Sequence, residues 1–294
     1  YSTTAALTFT PSQTCVKGGK SLRTKIGSIS RGSPCARTRP TTRPSQTASP
    51  PCRRSVQRTP SYESIYWPPR DIGITRIDGL RIDVANEVDH DFWRHFRSEV
   101  KKLKPDAYIV GEIWHEAAPW LMGDQFDGVT NYPLREACLD FFARGAIDAV
   151  GFAEAVAKNQ MLYPEGVLQA SWNLLGSHDT ERFLTACAGD VKRYALALAF
   201  IMTWIGAPMI YYGDEVGMEG NTDPDCRRTM QWDKDRWNME LFELHKRLIA
   251  VRRDHPGLRR GAARIVAADP VQNTLVWWRG EGRDGLLIAL NNSG

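Results

Sequence analysis

Four charged residues in this chain fall where charge is least expected. The segment "GLRIDVANEV" (79–88) is apolar enough to lie inside a sheet, yet it carries Arg81 and Asp83. "GEIWH" (111–115) places Glu112 at the end of an apolar run, and "LLGSHDTER" (174–182) does the same with Asp179. Three carboxylates from three separate strands suit the cleavage of a glycosidic bond. One acid protonates the leaving oxygen, one carboxylate attacks the anomeric carbon or activates water, and a third faces the developing positive charge. Arg81 lies two residues before Asp83, on the same face of a strand, where its charge favours the ionised carboxylate that an attacking group must be. Glu112, between Gly111 and Ile113-Trp114, sits in apolar company that favours a protonated acid. Three carboxylates also suit a metal, but the chain has only six histidines and no HxxxH pair, so no metal ligands are assigned and no cofactor is required.

The elements needed to bring these residues together are legible from about residue 74. Ile77–Val84 and Tyr108–Gly111 read as strands, and Asp89 caps a helix with Phe92, Phe96, Val100 and Leu103 on one face, stopped at Lys104-Pro105. "FDGVTN" (126–131) and "SWNLLGSHD" (171–179) read as further strands, with helices near 134–144 and 150–161 between them. The uncharged run Tyr194–Tyr212 approaches membrane-spanning length. Gly206-Ala207-Pro208 divides it into a buried helix, about 190–204, and a short buried strand, 209–213. A last helix sets Leu241, Leu244, Leu248 and Val251 on one face; "RIVAAD", "TLVWWRG" and "GLLIALNN" then read as β-strands. Strands alternating with helices give an α/β fold with a parallel sheet. The polar residues Asp83, Glu112, His178-Asp179 and Asp214-Glu215 stand at the carboxyl ends of its strands, where such folds build their sites.

Residues 1–70 have another texture. They hold twelve of the 38 Lys and Arg but one of the 34 acids, Glu63, and nine of the 17 prolines. Neither hydrophobic period survives there, so a disordered basic arm or an out-of-frame translation is expected. The arm has few aromatics for base stacking, and no nucleic-acid partner is expected. Six cysteines (15, 35, 52, 138, 187 and 226) form no CxxC pair and read as reduced thiols. No charged stretch followed by an apolar run opens the chain; a cytoplasmic location without membrane contact is the expectation.

Together, "GLRIDVANEV", "GEIWH" and "LLGSHDTER" resemble signature regions of the α-amylase superfamily of retaining α-glucan hydrolases and transferases (glycoside hydrolase family 13). "LMGDQFDGVTNYPLREA", "IYYGDEVGMEG" and "TDPDCRRTMQW" extend the resemblance over residues 74–294, closest to the neopullulanase, cyclomaltodextrinase and maltogenic amylase branch. The resemblance implies a partial (β/α)₈ TIM barrel with strands four to eight over 71–256. The start of a C-terminal all-β domain would follow over 257–294. It makes Asp83 the nucleophile, Glu112 the acid/base and Asp179 the transition-state stabiliser. Arg81 would orient the nucleophile and His178 would bind the cleaved glucose. Asp223 and Arg227 would grip a sugar toward the non-reducing end, while Asn86, Glu87, Trp114 and His115 would face the acceptor side.

The implied substrates are α-1,4- or α-1,6-linked cyclodextrins, pullulan and maltooligosaccharides. Relatives can pair as homodimers and some hold calcium, for which this chain offers no support. The family's Asp-x-x-x-Asn-His and "MPKLN"-like stretches and its N-terminal β domain are missing. The strand carrying Asp83 then has no third strand to pair with, and slow turnover is expected, down to that of an inactive fragment. A non-catalytic carbohydrate-binding protein on a degenerate barrel is the alternative reading.

Overall fold

The computed structural model describes residues 7–9, 77–281 and 284–293. The expectations for residues 1–70, apart from 7–9, lie outside them, as do Cys15, Cys35 and Cys52. A parallel sheet runs in the order β1 (Leu7–Phe9), β2 (Gly79–Ile82), β3 (Tyr108–Gly111) and β4 (Gly128–Val129). β2 is buried at all four residues and pairs in register with β3, from Gly79 opposite Tyr108 to Ile82 opposite Gly111. It stops short of the expected Val84 because that residue takes a left-handed conformation (φ 47°), which ends the extended run just after Asp83. The outer edge of β2, expected to be bare, carries β1 in parallel, Leu7 opposite Leu80. Buried strand amides need partners, and a three-residue strand is too short to show a period in the sequence.

Asp89 caps α1 (His90–Leu103) by accepting from the Asp91 amide, as expected. The buried stripe is Trp93, Phe96 and Val100, whereas Phe92 is half-buried and Leu103 is exposed. Trp93 wins the inward place because its indole reaches the Ala85 carbonyl (2.8 Å) and packs on Phe126.

A bridge between Thr130 and Trp172 continues the arc from β4 toward β5 (Trp172–Leu174), which pairs in parallel with β6 (Ala207–Met209). Between them run α2 (Tyr132–Cys138) with the π-helical turn Leu139–Ala143, α3 (Ala149–Leu162), α4 (Glu165–Ala170), α5 (Phe183–Ala186) and α6 (Val191–Thr203). Phe141, Phe152, Phe200 and Trp204 form one aromatic core behind the sheet, with Phe141 stacked on Phe152 at 4.6 Å.

The last parallel strand differs from expectation: it spans Ala207–Met209, is half-buried, and leaves Ile210 and Tyr212 exposed. Pro208 is tolerated because, among the described residues, β6 pairs on one edge only. Gly206 opens it at φ +109°, where a Cβ would come within 2.7 Å of Asn173 Nδ2, so glycine is required there. No helix of the described residues is long and apolar enough to cross a membrane.

α7 (Met239–Asp254) buries Leu241 and His245, while Leu244 and Leu248 are half-buried and Val251 is exposed, so the expected stripe is only partly used. After α8 (Pro256–Arg260), the antiparallel strands β7 (Ala262–Asp269), β8 (Thr274–Glu281) and β9 (Asp284–Asn291) close the described chain. Trp277 of β8 packs edge-on against Phe200 of α6.

Arg279 of the same strand is fully buried and donates to the carbonyls of Thr203 (3.0 Å), Leu258 (2.9 Å) and Gly261 (2.9 Å). Burial pushes this guanidinium down to about 10, still charged at neutral pH. Arg279→Met keeps the stem and strands three carbonyls. The expected loss is about 3 kcal/mol, read as a lower urea midpoint at unchanged slope.

Candidate active site

The sheet delivers its polar residues at one end. β2 runs into Asp83, β3 into Glu112, and the chain leaving β5 into His178 and Asp179. Arg81 is almost entirely buried, and its guanidinium joins two of the carboxylates: Nη1 donates to Asp83 Oδ1, and Nη2 meets Glu112 Oε1 at 2.6 Å. Asp83 and Glu112 therefore occupy the two prongs of one fork, a geometry in which a single cation serves two acids.

Glu112 is 3% exposed. Burial pushes its carboxyl above the usual range, opposed first by the Arg81 guanidinium and then by the Val84 amide, which donates to Oε2 at 3.2 Å. The negative charges of Asp83 and Asp179 push it further up. The left-handed turn at Val84 is what aims that amide at Glu112. Such a conformation is costly for a β-branched residue and belongs to positions where the surroundings impose it.

Asp179 is held from two sides, by His178 Nε2 (3.1 Å) and Arg227 Nη2 (2.8 Å). Arg227 also reaches Asp223 (2.7 Å) and the His178 carbonyl (2.8 Å). Arg227, assigned by resemblance together with Asp223 to a more distant sugar, thus contacts Asp179 directly, and Asp223 joins through it. Trp114 is half exposed and stacks on Tyr132 at 4.2 Å with 11° between the rings, leaving its other face open. Asn86 and Glu87 lie on the 3-10 turn Ala85–Glu87 just past Asp83, with Asn86 Nδ2 donating to Glu87 Oε1 (3.3 Å). His115 is exposed, its Nδ1 2.8 Å from the Glu116 carbonyl.

Asp214, noted at a strand end, turns inward instead. It pairs with the fully buried Arg182 at 2.8 Å, and burial pushes its carboxyl up. Glu215 is half-buried beside it. Neither reaches the carboxylate cluster.

Two residues of the site carry no sequence signal of their own. Tyr132, within a motif quoted above, places its hydroxyl 3.4 Å from Glu112 Oε1 and 3.2 Å from Ser177 Oγ. Only the contact between segments 45 positions apart identifies this pair. Among the described residues, no group of three or more His, Cys, Asp or Glu side chains is arranged to hold a metal ion. Cys138, Cys187 and Cys226 are buried thiols that form no disulfide, and Cys226 Sγ donates to the His178 carbonyl at 3.1 Å, beside Asp179.

Comparison with known proteins places this geometry in context. The model of the α-amylase catalytic domain matches residues 66–240. A cyclomaltodextrinase of Geobacillus thermopakistaniensis is 52% identical over 217 residues, 74% of this chain and 37% of that protein. Neopullulanase 2 of Thermoactinomyces vulgaris is 54% identical over 218 residues, again 74% and 37%. Among solved structures, the ligand-free cyclic α-maltosyl-(1→6)-maltose hydrolase of Arthrobacter globiformis superposes with a TM-score of 0.71 at 42% identity. That match covers 73% of this chain and 48% of that one. The chain thus spans little more than a third of the length of these curated relatives, and its parallel arc matches part of their barrel.

Proposed function

This chain belongs to the α-amylase catalytic-domain family, and from that premise we propose that it is a retaining α-glucan hydrolase. Its substrates would be cyclodextrins, pullulan and maltooligosaccharides, cleaved at α-1,4 and α-1,6 bonds. β2 to β6 would be the fourth to eighth strands of the barrel, and β7 to β9 the start of a C-terminal β domain. The observation that carries the reading is the Arg81 fork joining Asp83 to Glu112. It sets a carboxylate on one prong of a cation beside a second carboxyl whose burial favours the protonated form.

In this reading Asp83 attacks the anomeric carbon while Glu112 protonates the leaving oxygen. Glu112 then deprotonates the water that releases the sugar, which leaves the anomeric configuration unchanged. Asp179, fixed by His178 and Arg227, faces the positive charge that develops on the ring. The face of Trp114 away from Tyr132 stacks a pyranose on the acceptor side, the side that Asn86, Glu87 and His115 would also serve. Incubation with β-cyclodextrin and with maltoheptaose, followed by proton NMR of the first products, is expected to show the α-anomer. β-Anomer as first product would remove the two-step mechanism, and retention on a starch column without any product would favour a binding protein instead.

A further inference from the structure

The two oxygens of Glu112 are not equivalent. Oε1 faces both the Arg81 guanidinium (2.6 Å) and the Tyr132 hydroxyl (3.4 Å), whereas Oε2 has the single Val84 amide at 3.2 Å. An oxygen that already accepts from two donors, one of them charged, has no room for a proton of its own. Behind Tyr132 the contacts continue. Its hydroxyl lies 3.2 Å from Ser177 Oγ, which in turn accepts from the Asp179 amide at 3.2 Å. Tyrosine has one hydroxyl proton. With that proton directed to Glu112, a Ser177 hydroxyl turned to Tyr132 (3.2 Å) rather than to its other partner, Thr180 Oγ1 (3.4 Å), makes every donor in the line Asp179–Ser177–Tyr132 point toward Oε1.

We infer that the Tyr132 and Ser177 hydroxyls form a positioning bridge, which keeps Oε1 of Glu112 free of the proton and reserves Oε2 for delivery to the substrate. The bridge rests on the reading of Glu112 as the acid/base. It also ties the strand end that bears Glu112 to the loop that bears Asp179, much as Arg81 ties Glu112 to Asp83. Tyr132 is well fixed for this role, since it is 6% exposed and its ring is clamped by Trp114. Burial pushes its phenol up to about 12, so it stays a neutral donor across the working range. A phenylalanine would fill the same space and keep the stack, so the hydroxyl is the part that packing does not require.

The test uses Tyr132→Phe and Ser177→Ala in the full chain, with two substrates of different demand. Maltoheptaose needs a proton on its leaving oxygen, whereas α-maltosyl fluoride loses fluoride with much less help. For Tyr132→Phe, kcat on maltoheptaose is expected to fall about tenfold with KM nearly unchanged, and to fall several times less on the fluoride. The groups facing Glu112 are Arg81 and Asp83 from β2 and its exit, Tyr132 from α2, and Asp179 from the loop after β5. Of these only Tyr132 changes, and losing a donor to the ionised carboxylate disfavours ionisation. Protonated Glu112 then persists to higher pH, and the alkaline limb of the maltoheptaose profile moves up by about one pH unit. Ser177→Ala, which leaves the Tyr132 ring untouched, is expected to move the limb the same way by less, and it carries the test if Tyr132→Phe does not fold. Equal losses on the two substrates with an unmoved limb would overturn the bridge alone. Failure of the unaltered chain to cleave either substrate would overturn the hydrolase reading and the bridge with it.

Discussion

Asp83→Asn is expected to lower kcat/KM on maltooligosaccharides by on the order of 10⁴-fold while leaving the fold intact. The amide is nearly isosteric with the carboxylate and keeps an oxygen for the Arg81 guanidinium, which already holds Asp83 and Glu112 together. What it lacks is the negative charge that the proposed attack on the anomeric carbon and the proposed covalent intermediate require. Loss of that charge has a second consequence. Asp83 is one of the groups that push the Glu112 carboxyl up, so the alkaline limb of any residual activity should move to lower pH. Steady-state kinetics across pH, with circular dichroism to confirm folding, check both effects. A loss of less than about tenfold would mean that another group attacks.

Glu112→Gln is expected to cost about 10²- to 10⁴-fold on maltoheptaose, the range that proton transfer by a positioned acid supplies. The loss should be far smaller on α-maltosyl fluoride during the first step, because fluoride departs without a strong acid. In the proposed mechanism, protonated Glu112 is the active form for the first step. Its folded-state value lies above that of an ordinary glutamate because the group is buried. Activity should therefore fall as pH rises through that elevated value, and this alkaline limb should disappear in Glu112→Gln. Equal losses on both substrates, or a limb that survives the substitution, would show that Glu112 does not supply the proton.

The parts of this molecule that depend on neighbouring residues were legible in the sequence. β3 occupies the four residues expected of it, Asp89 caps α1, and Lys104-Pro105 ends that helix. Turn chemistry and short apolar runs act over a few positions, and they also place Asp83 and Glu112 directly after their strands. The strand expected over 171–179, by contrast, stops at Leu174 and leaves Asp179 on the turn beyond it. What was missed depends on contacts between distant segments. Trp93 displaces Phe92 from the buried face of α1 because Ala85 and Phe126 receive it. β6 begins at Ala207 because β5 offers a partner there, Trp172 opposite Ala207, and an edge strand accepts Pro208. Tyr132 and Ser177 come together only when α2 and the end of β5 are folded side by side. Asp214 has the same short-range context as the other strand-end acids, yet Arg182 draws it into the interior.

The central claim is that Asp83 forms a covalent bond to the sugar during turnover. It is tested most directly with a 5-fluoro-α-glucosyl fluoride, which forms the intermediate readily but releases it slowly because the ring fluorine opposes positive charge. Intact-protein mass spectrometry of the treated chain should show one added fluoroglucosyl group, and peptide mapping should place it on Asp83. The label should be absent from Asp83→Asn and should disappear when maltose is added as an acceptor. A label on any other carboxylate, or no label from a chain that still hydrolyses maltoheptaose, would contradict the account.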